Sequence, residues 1–308
     1  MDKELEIFNN RKVLITGGGG YLGSHLAAKI AENHKAQIFL LDLKFDESQK
    51  QNSRFSLAEI NLCNKSDVEE FVFGVKPDYV FHFAALLDRK RDFALFDKIR
   101  AVNVDGTLNL LCSLRNSGCR NFLFSSTSEI YGSNQAPFVE TQHPFPVSPY
   151  SLTKLMAESL IKTFSDLYAI PHTVMRIFNF FGPNMPDETF FGQMCLAYRN
   201  GEVLKMTKGE QKRDFLYIDD LLNRIVCLAD KSKQKYNLYN LCSGKSLSII
   251  EIAQMFHKIT DGKFRFSTEL DYRPNEIWDT SGSDERFREL GFNLKTTDFE
   301  DQLRRMII

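Results

Sequence analysis

A run of glycines set between an apolar segment and a helix-like one constrains this chain more than any other feature. Lys12-Val13-Leu14-Ile15-Thr16 is short and apolar, with strand character. Gly17-Gly18-Gly19-Gly20-Tyr21-Leu22-Gly23 follows directly and leads into the helix-like Ser24-His25-Leu26-Ala27-Ala28-Lys29-Ile30. Gly17, Gly20 and Gly23 give the spacing G-x-x-G-x-x-G. The first glycine permits a tight turn, the second lets backbone approach a pyrophosphate, and the third allows close helix packing. A pyrophosphate would rest on the helix N-terminus, where free N–H groups and the helix dipole favour anions.

A second apolar run, Gln37-Ile38-Phe39-Leu40-Leu41, ends at Asp42. Its carboxylate would accept both ribose hydroxyls and repel a 2′-phosphate, which favours NAD over NADP, although Lys44 is close enough to blunt the repulsion. Phe55 to Leu62 reads as a third strand ending in Asn61-Leu62, with the Asn61 amide available to an adenine. Pro77 to Ala85 reads as a fourth, in which Phe83-Ala84-Ala85 forms a small-residue end that leaves room for the cofactor to cross the sheet edge. His82 within that run reads as a packed core residue. A helix from about Phe93 to Ser117 follows, carrying Asn103-Val104-Asp105-Gly106-Thr107. Strands alternating with helices through residue 125 imply a parallel, doubly wound sheet with ligands at the carboxyl ends of the strands.

The fifth strand, Phe122-Leu123-Phe124, opens into Ser125-Ser126-Thr127-Ser128-Glu129-Ile130-Tyr131-Gly132. Farther on, Tyr150-Ser151-Leu152-Thr153-Lys154 begins an amphipathic run through Leu155, Met156, Leu160, Phe164 and Leu167. Tyr150 and Lys154 lie one helical turn apart and so share a face. An ammonium beside a phenol favours the phenolate, and a general base works best with a pKa near the working pH. Thr127, leaving the preceding strand, would hold the oxygen whose proton Tyr150 takes.

The later sequence is more irregular. Thr173 to Phe181 gives a sixth strand, and Gly182-Pro183 breaks it. A loop, a helix near Gln193 to Asn200 and a polar stretch from Thr207 to Arg213 come next. Asp214-Phe215-Leu216-Tyr217-Ile218-Asp219-Asp220 then starts a helix whose two N-terminal carboxylates suit its dipole as caps. Asn237 to Cys242 looks like a strand returning to the sheet, so the second domain is interleaved with the first. The expected division is a dinucleotide-binding domain over 1–182, with a return segment of about 214–243, and a mostly substrate-binding domain over 183–308.

At 308 residues, 43% of them hydrophobic, the chain can bury a full α/β core and still carry a smaller part. Lys and Arg number 39 against 40 Asp and Glu, a formal charge of −1 that argues against a broad nucleic-acid or anionic-membrane surface. An anionic ligand must therefore meet local positive groups. Six cysteines show no C-x-x-C or zinc-like spacing and read as reduced core thiols, so no metal is expected. Met1-Asp2-Lys3-Glu4 is charged, and no apolar run reaches membrane-spanning length. A cytoplasmic enzyme is the expectation.

Taken in order, these motifs resemble the extended short-chain dehydrogenase/reductase family, in its nucleotide-sugar epimerase/dehydratase branch. The matches are Thr16 through Ser24, His82-Phe83-Ala84-Ala85, Asn103 through Thr107, Ser125-Ser126-Thr127 with Tyr131-Gly132, Pro149-Tyr150 with Lys154, Arg176-Ile177-Phe178-Asn179, Arg213 through Tyr217, and Asn240 through Gly244. The resemblance implies a Rossmann-type fold with a smaller C-terminal substrate-binding domain. It implies NAD held by Gly17, Gly20, Tyr21, Leu22, Gly23, Asp42, Asn61, Leu62, Phe83, Ala84, Ala85, Tyr150 and Lys154. Tyr150 would be the base, Lys154 its electrostatic partner and a ribose ligand, and Thr127 the hydroxyl at the reacting oxygen. Asn179 would meet the sugar or diphosphate, while Arg213 and Arg273 would clamp the diphosphate of a substrate nucleotide, with guanidinium forks suited to phosphate oxygens. The resemblance also implies a homodimer built on the helices near 93–117 and 150–169.

Two details pull the outcome in opposite directions. Leu86-Leu87 stands where dehydratases of the branch carry Glu-Ser or Gln-Ser, yet Thr127-Ser128-Glu129 resembles the triplet of dehydratases and uronate decarboxylases. In those enzymes a carboxylate such as Glu129 serves C5. The first expectation is a 4-epimerase of a nucleotide-diphosphate sugar, and the alternatives are a 4,6-dehydratase or a UDP-uronate decarboxylase. A non-catalytic NAD-binding regulator is a further alternative, disfavoured because it would need the glycine turn but not Thr127, Tyr150 and Lys154.

Overall fold

A computed structural model describes residues 6–33, 35–88, 92–273, 276–292, 294 and 297–307. The chain forms two units: Met1–Gly132, His143–Ile177 and Leu222–Tyr239 make the first, and Ser133–Gln142, Phe178–Leu221 and Asn240–Ile308 make the second.

In the first unit β1 (Lys12–Thr16), α1 (Tyr21–Asn33), β2 (Gln37–Asp42), α2 (Glu47–Gln51), β3 (Phe55–Glu59), α3 (Lys65–Val75) and β4 (Tyr79–His82) follow in turn. Then come α4 (Phe96–Arg100), a π-helical turn (Ala101–Asp105), α5 (Gly106–Ser113), β5 (Asn121–Thr127), α6 (Pro149–Tyr168) and β6 (His172–Ile177). The strands stand in the order β3-β2-β1-β4-β5-β6, with Leu238–Leu241 beyond β6 as the seventh, and the pairs from β3 to β6 are parallel. From β1 the chain winds one way through β2 and β3, then crosses back to β4 and onward. The reversal leaves a crevice at the carboxyl ends of β1 and β4. Val13, Leu14, Ile15, Val80 and Phe81 are fully buried, as the apolar runs of strands covered on both faces require.

The helix read over 93–117 is shorter and interrupted. The Asp92 carboxylate accepts the Ala94 N–H (2.9 Å), an Asx turn that delays the helix to Phe96. Beyond Ser113 the backbone turns left-handed at Asn116 and Gly118 (φ 61° and 77°), which ends it. The third strand also stops early, at Glu59, because the Asn61 side chain accepts the Cys63 N–H and folds the chain away. Helix α6 is well specified: Ser148 caps it reciprocally with Ser151, Pro149 takes the first turn, and Ala169 closes it with φ 53°.

The second unit carries β7 (Asn179–Phe181), α7 (Phe190–Asn200), β8 (Val203–Lys205) and β9 (Lys212–Tyr217). α8 (Ile218–Cys227) starts here, and β10, the seventh strand of the main sheet, ends here. β11 (Ser246–Ser248), α9 (Ile249–Ile259), β12 (Arg265–Ser267), β13 (Asp279–Thr280), α10 (Glu285–Arg288) and α11 (Phe299–Arg304) complete it. The expected sixth strand therefore divides after Ile177, with Asn179–Phe181 pairing β9 instead. Asp214 to Tyr217 is strand rather than helix, and only Asp219 and Asp220 occupy the first turn of α8. Phe181 stacks on Phe191 (4.4 Å between ring centres), and Phe191 meets Phe215 edge-on (4.9 Å), which packs β7, α7 and β9 together.

Candidate active site

The glycine turn leaves no room for side chains on its inner side. Gly17 has φ 74°, and a Cβ there would lie 2.7 Å from the Ala84 N, so the backbone just beyond β1 packs directly on the backbone just beyond β4. A Cβ on Gly23 would sit 2.1 Å from the Gly17 oxygen, which is why α1 packs so closely on the turn. At Gly20 a Cβ would meet only the Gly17 oxygen, at 3.3 Å, so that backbone is open to a ligand. The N-terminus of a helix, where the first N–H groups have no intrahelical acceptor, behind an open, Cβ-free cradle fits the diphosphate of a dinucleotide. The turn is held from both sides: Gly19 N–H donates to Asp42 Oδ2 (2.9 Å), and Gln49 Nε2 donates to the Gly18 oxygen (3.0 Å). Gln49 escaped the sequence reading, although Asp46-x-x-Gln49 is a capping box and marked the short α2. Asp42 Oδ1 also accepts the Leu43 N–H (2.7 Å), so the carboxylate that would read the ribose shapes its own surroundings. Leu62 packs into the hydrophobic core while Asn61 is exposed.

His82 is fully buried, and its protonation follows from its neighbours. Thr107 spends its hydroxyl proton on the Asn103 oxygen (2.6 Å), so it accepts from His82 Nε2 (2.9 Å). Nδ1 then accepts from the Thr16 hydroxyl (2.6 Å). Burial, with help from the Lys154 charge, pushes its pKa down to about 3, which makes it a neutral tie between β1, β4 and α5.

The residues expected to transfer the proton lie at the end of β5 and the start of α6. Thr127 is the last residue of β5, and its hydroxyl accepts the Glu129 N–H (3.2 Å) to cap the short turn Ser128–Tyr131. Tyr150 is half-buried in the first turn of α6. Lys154 is 2% exposed; its Nζ donates to the Ser125 oxygen (2.6 Å) and lies 4.5 Å from the Phe124 ring centre. Burial pulls its pKa down to about 7, against an opposing pull from Glu158. Glu129 does not turn back onto the backbone of its own turn: its carboxylate accepts from the Ser148 hydroxyl, the group that caps α6.

In the second unit, Arg213 and Arg273 converge on one carboxylate. Arg213 Nη2 and Arg273 Nε both donate to Glu276 (2.5 and 2.8 Å), and Arg213 Nη1 also donates to the Ile277 oxygen (2.7 Å). Arg213 is largely buried and Arg273 mostly exposed (side chains 12% and 57%). Desolvation lowers the Arg213 pKa, with Glu276 opposing it, and Arg213, Arg273 and Glu276 together still carry one net positive charge. Asn179 is exposed, its amide donating to the Asp214 oxygen (3.4 Å). Glu276 was missed because a carboxylate beside two arginines has no signature in one sequence.

The chain is 27% identical over 282 residues to a Bacillus subtilis (strain 168) protein described as an uncharacterized UDP-glucose epimerase, covering 87% of this chain and 88% of that one. It is 28% identical to a UDP-N-acetyl-alpha-D-glucosaminuronate decarboxylase of Bacillus cytotoxicus, covering 81% and 80%. Among solved structures it resembles UDP-glucuronic acid 4-epimerase from Bacillus cereus in complex with UDP-glucuronic acid and NAD, with TM-score 0.85, 26% identity and coverage of 96% and 98%. The model of the NAD dependent epimerase/dehydratase family matches residues 13–242. That match takes in the glycine turn, every strand of the seven-stranded sheet and the whole of α6, and the chain accordingly belongs to this family of NAD-dependent enzymes.

Proposed function

We propose that the protein is a cytoplasmic, homodimeric 4-epimerase of a nucleotide-diphosphate sugar. Tyr150 takes the proton of the sugar C4 hydroxyl, the Lys154 ammonium stabilises the phenolate, and Thr127 holds the C4 oxygen by hydrogen bond. When bound, NAD supplies the acceptor for the C4 hydride and gives it back. Gly17, Gly20, Tyr21, Leu22 and Gly23 seat its diphosphate, Asp42 its ribose and Asn61 its adenine, with Leu62, Phe83, Ala84 and Ala85 beside it. Arg213 and Arg273 bind the substrate diphosphate, exchanging Glu276 for phosphate oxygens, and Asn179 meets the sugar. The 4-keto sugar then turns over before hydride returns to its other face.

The observation that carries the choice of epimerase is the hydrogen bond from the Ser148 hydroxyl to Glu129. A carboxylate tied to the cap of α6 braces Tyr150 and Lys154, and a base for the C5 proton would have to give up that bond. Leu86-Leu87 adds no polar group in its place. Thr127-Ser128-Glu129 itself favours a second reading, 4,6-dehydration or uronate decarboxylation, which shares the first step. Turnover of UDP-, dTDP-, GDP- and CDP-sugars, uronates included, in deuterated water separates them by NMR. Inversion at C4 with no deuterium at C5 is expected. Deuterium at C5 with a new methyl group, or with loss of carbon dioxide, would replace the epimerase reading. Leu108 and Leu167, exposed on α5 and α6, support the dimer; a monomer by light scattering at micromolar concentration would reject it.

A further inference from the structure

We propose that Glu158, anchored by Ser126 and Arg176, is a positioning residue that holds Lys154 in place and keeps it an ammonium; this rests on the reading of Lys154 as the partner of Tyr150. Adjacent residues at the end of β5 grip adjacent turns of α6. The Ser125 carbonyl accepts from Lys154 Nζ (2.6 Å), and the Ser126 hydroxyl donates to Glu158 Oε1. Lys154 and Glu158 are one turn apart on the same helix face. From β6, Arg176 closes the arrangement with a two-pronged contact, Nε to Glu158 Oε1 (3.1 Å) and Nη2 to Oε2 (2.8 Å). Its guanidinium also lies over the Tyr131 ring (4.9 Å). The Arg176 and Glu158 side chains are only 4% and 10% exposed.

A buried carboxylate with this many donors has one geometry, and so fixes the phase of α6 against β5 and β6. It also supplies counter-charge to an ammonium that burial would otherwise discharge. The titratable groups at this end of the neighbouring elements are His82 on β4, Arg176 on β6, and Glu129 and Tyr131 on the turn after β5, with Tyr150 on α6 itself. His82 is neutral, and Glu129 is engaged with Ser148. On the helix packed alongside, Asp97, Arg100 and Asp105 pair with one another at the surface. Glu158 is the carboxylate one turn from Lys154. Lys154, Glu158 and Arg176 sum to one positive charge, the sign that favours a phenolate at Tyr150.

The test titrates Lys154 directly in the protein purified with its cofactor. Lysine labelled with 13C at Cε is followed by NMR against pH, and the Lys154 resonance is assigned by its loss in Lys154→Met. Removing the carboxylate charge in Glu158→Gln is expected to weaken proton binding by Lys154 about tenfold, one pH unit in its midpoint. The basic limb of kcat should move to lower pH by the same amount, while KM stays within about twofold. Glu158→Asp, which keeps the charge, should restore most of the midpoint. Ser126→Ala loosens the anchor without leaving Arg176 unpaired, and should lower kcat at least about threefold with a smaller shift of the same sign. A folded Glu158→Gln with the wild-type midpoint overturns the proposal. If that variant does not fold, a wild-type midpoint and kcat in Ser126→Ala overturn it instead. The titration needs no substrate, so a wild-type enzyme that turns over no nucleotide sugar would count against the epimerase reading while leaving this measurement intact.

Discussion

In the first unit the charges around Lys154 are buried and each has a fixed partner: Lys154 on the Ser125 carbonyl, Glu158 between Ser126 and Arg176. In the second unit two guanidiniums share one carboxylate, and one of them, Arg273, is largely in solvent. Under the proposed function, the difference follows from what each charge would be asked to do. A group that must stabilise charge during proton transfer works best if it needs no reorganisation, so burial with rigid partners suits it. A group that binds a diphosphate must exchange protein partners for phosphate oxygens, and a half-compensated pair of arginines near water does this at low cost. The proposal therefore puts preorganised chemistry and exchangeable recognition on separate parts of the chain.

The sharpest way to break the comparison is Tyr150→Phe, which removes the proton acceptor and keeps the ring. Turnover of the epimerised sugar should fall by at least about two orders of magnitude, with nucleotide binding unchanged. Near wild-type kcat would remove the chemistry from the first unit. Arg213→Ala tests the other side. Loss of one charge-assisted contact should raise KM for the nucleotide sugar roughly tenfold and leave kcat within about threefold; a fall in kcat with constant KM would mean that recognition and chemistry are not divided as described. The smallest effect concerns stability. His82 is neutral in the fold, with a pKa of about 3 against an ordinary value of 6.5. The unfolded chain therefore binds a proton below pH 6.5 that the folded chain refuses, and stability contributed by this residue is lost as pH falls from about 6.5 toward 3. Urea melts of wild type and His82→Gln over this range should show a shallower pH slope in the variant, and equal slopes would reject the neutral tie.

Much of the site was legible because its chemistry is local. Gly20 and Gly23 answer to steric demands set by the Gly17 backbone a few residues away, and helical periodicity alone puts Tyr150 and Lys154 on one face. Apolar runs located β1, β2, β4, β5 and β6, although not always their ends. The helix read from 93 to 117 failed in its details because an Asx turn at Asp92 and a π-helical turn carrying Asn103 are set by hydrogen bonds. One of these joins the Asn103 amide to the Leu86 N–H across the sheet end (2.7 Å). Asp214 read as the start of a helix because its strand pairs with β7, β11 and β13, each of two or three residues and none recognisable alone.

The sequence by itself therefore determined the order of β1 to β6, the glycine cradle, the Asp42 carboxylate at the end of β2 and the one-turn spacing of Tyr150 and Lys154, since each depends on spacing along one segment. Tertiary structure alone decided that Gln49 pins the glycine turn, that Glu129 is tied to Ser148, that Glu276 bridges two arginines and that Ser126, Glu158 and Arg176 meet behind Lys154. All of these contacts except Arg273 to Glu276 join residues well apart in sequence, and a polar side chain carries no mark of its partner until folding removes water from around it and makes that partner necessary.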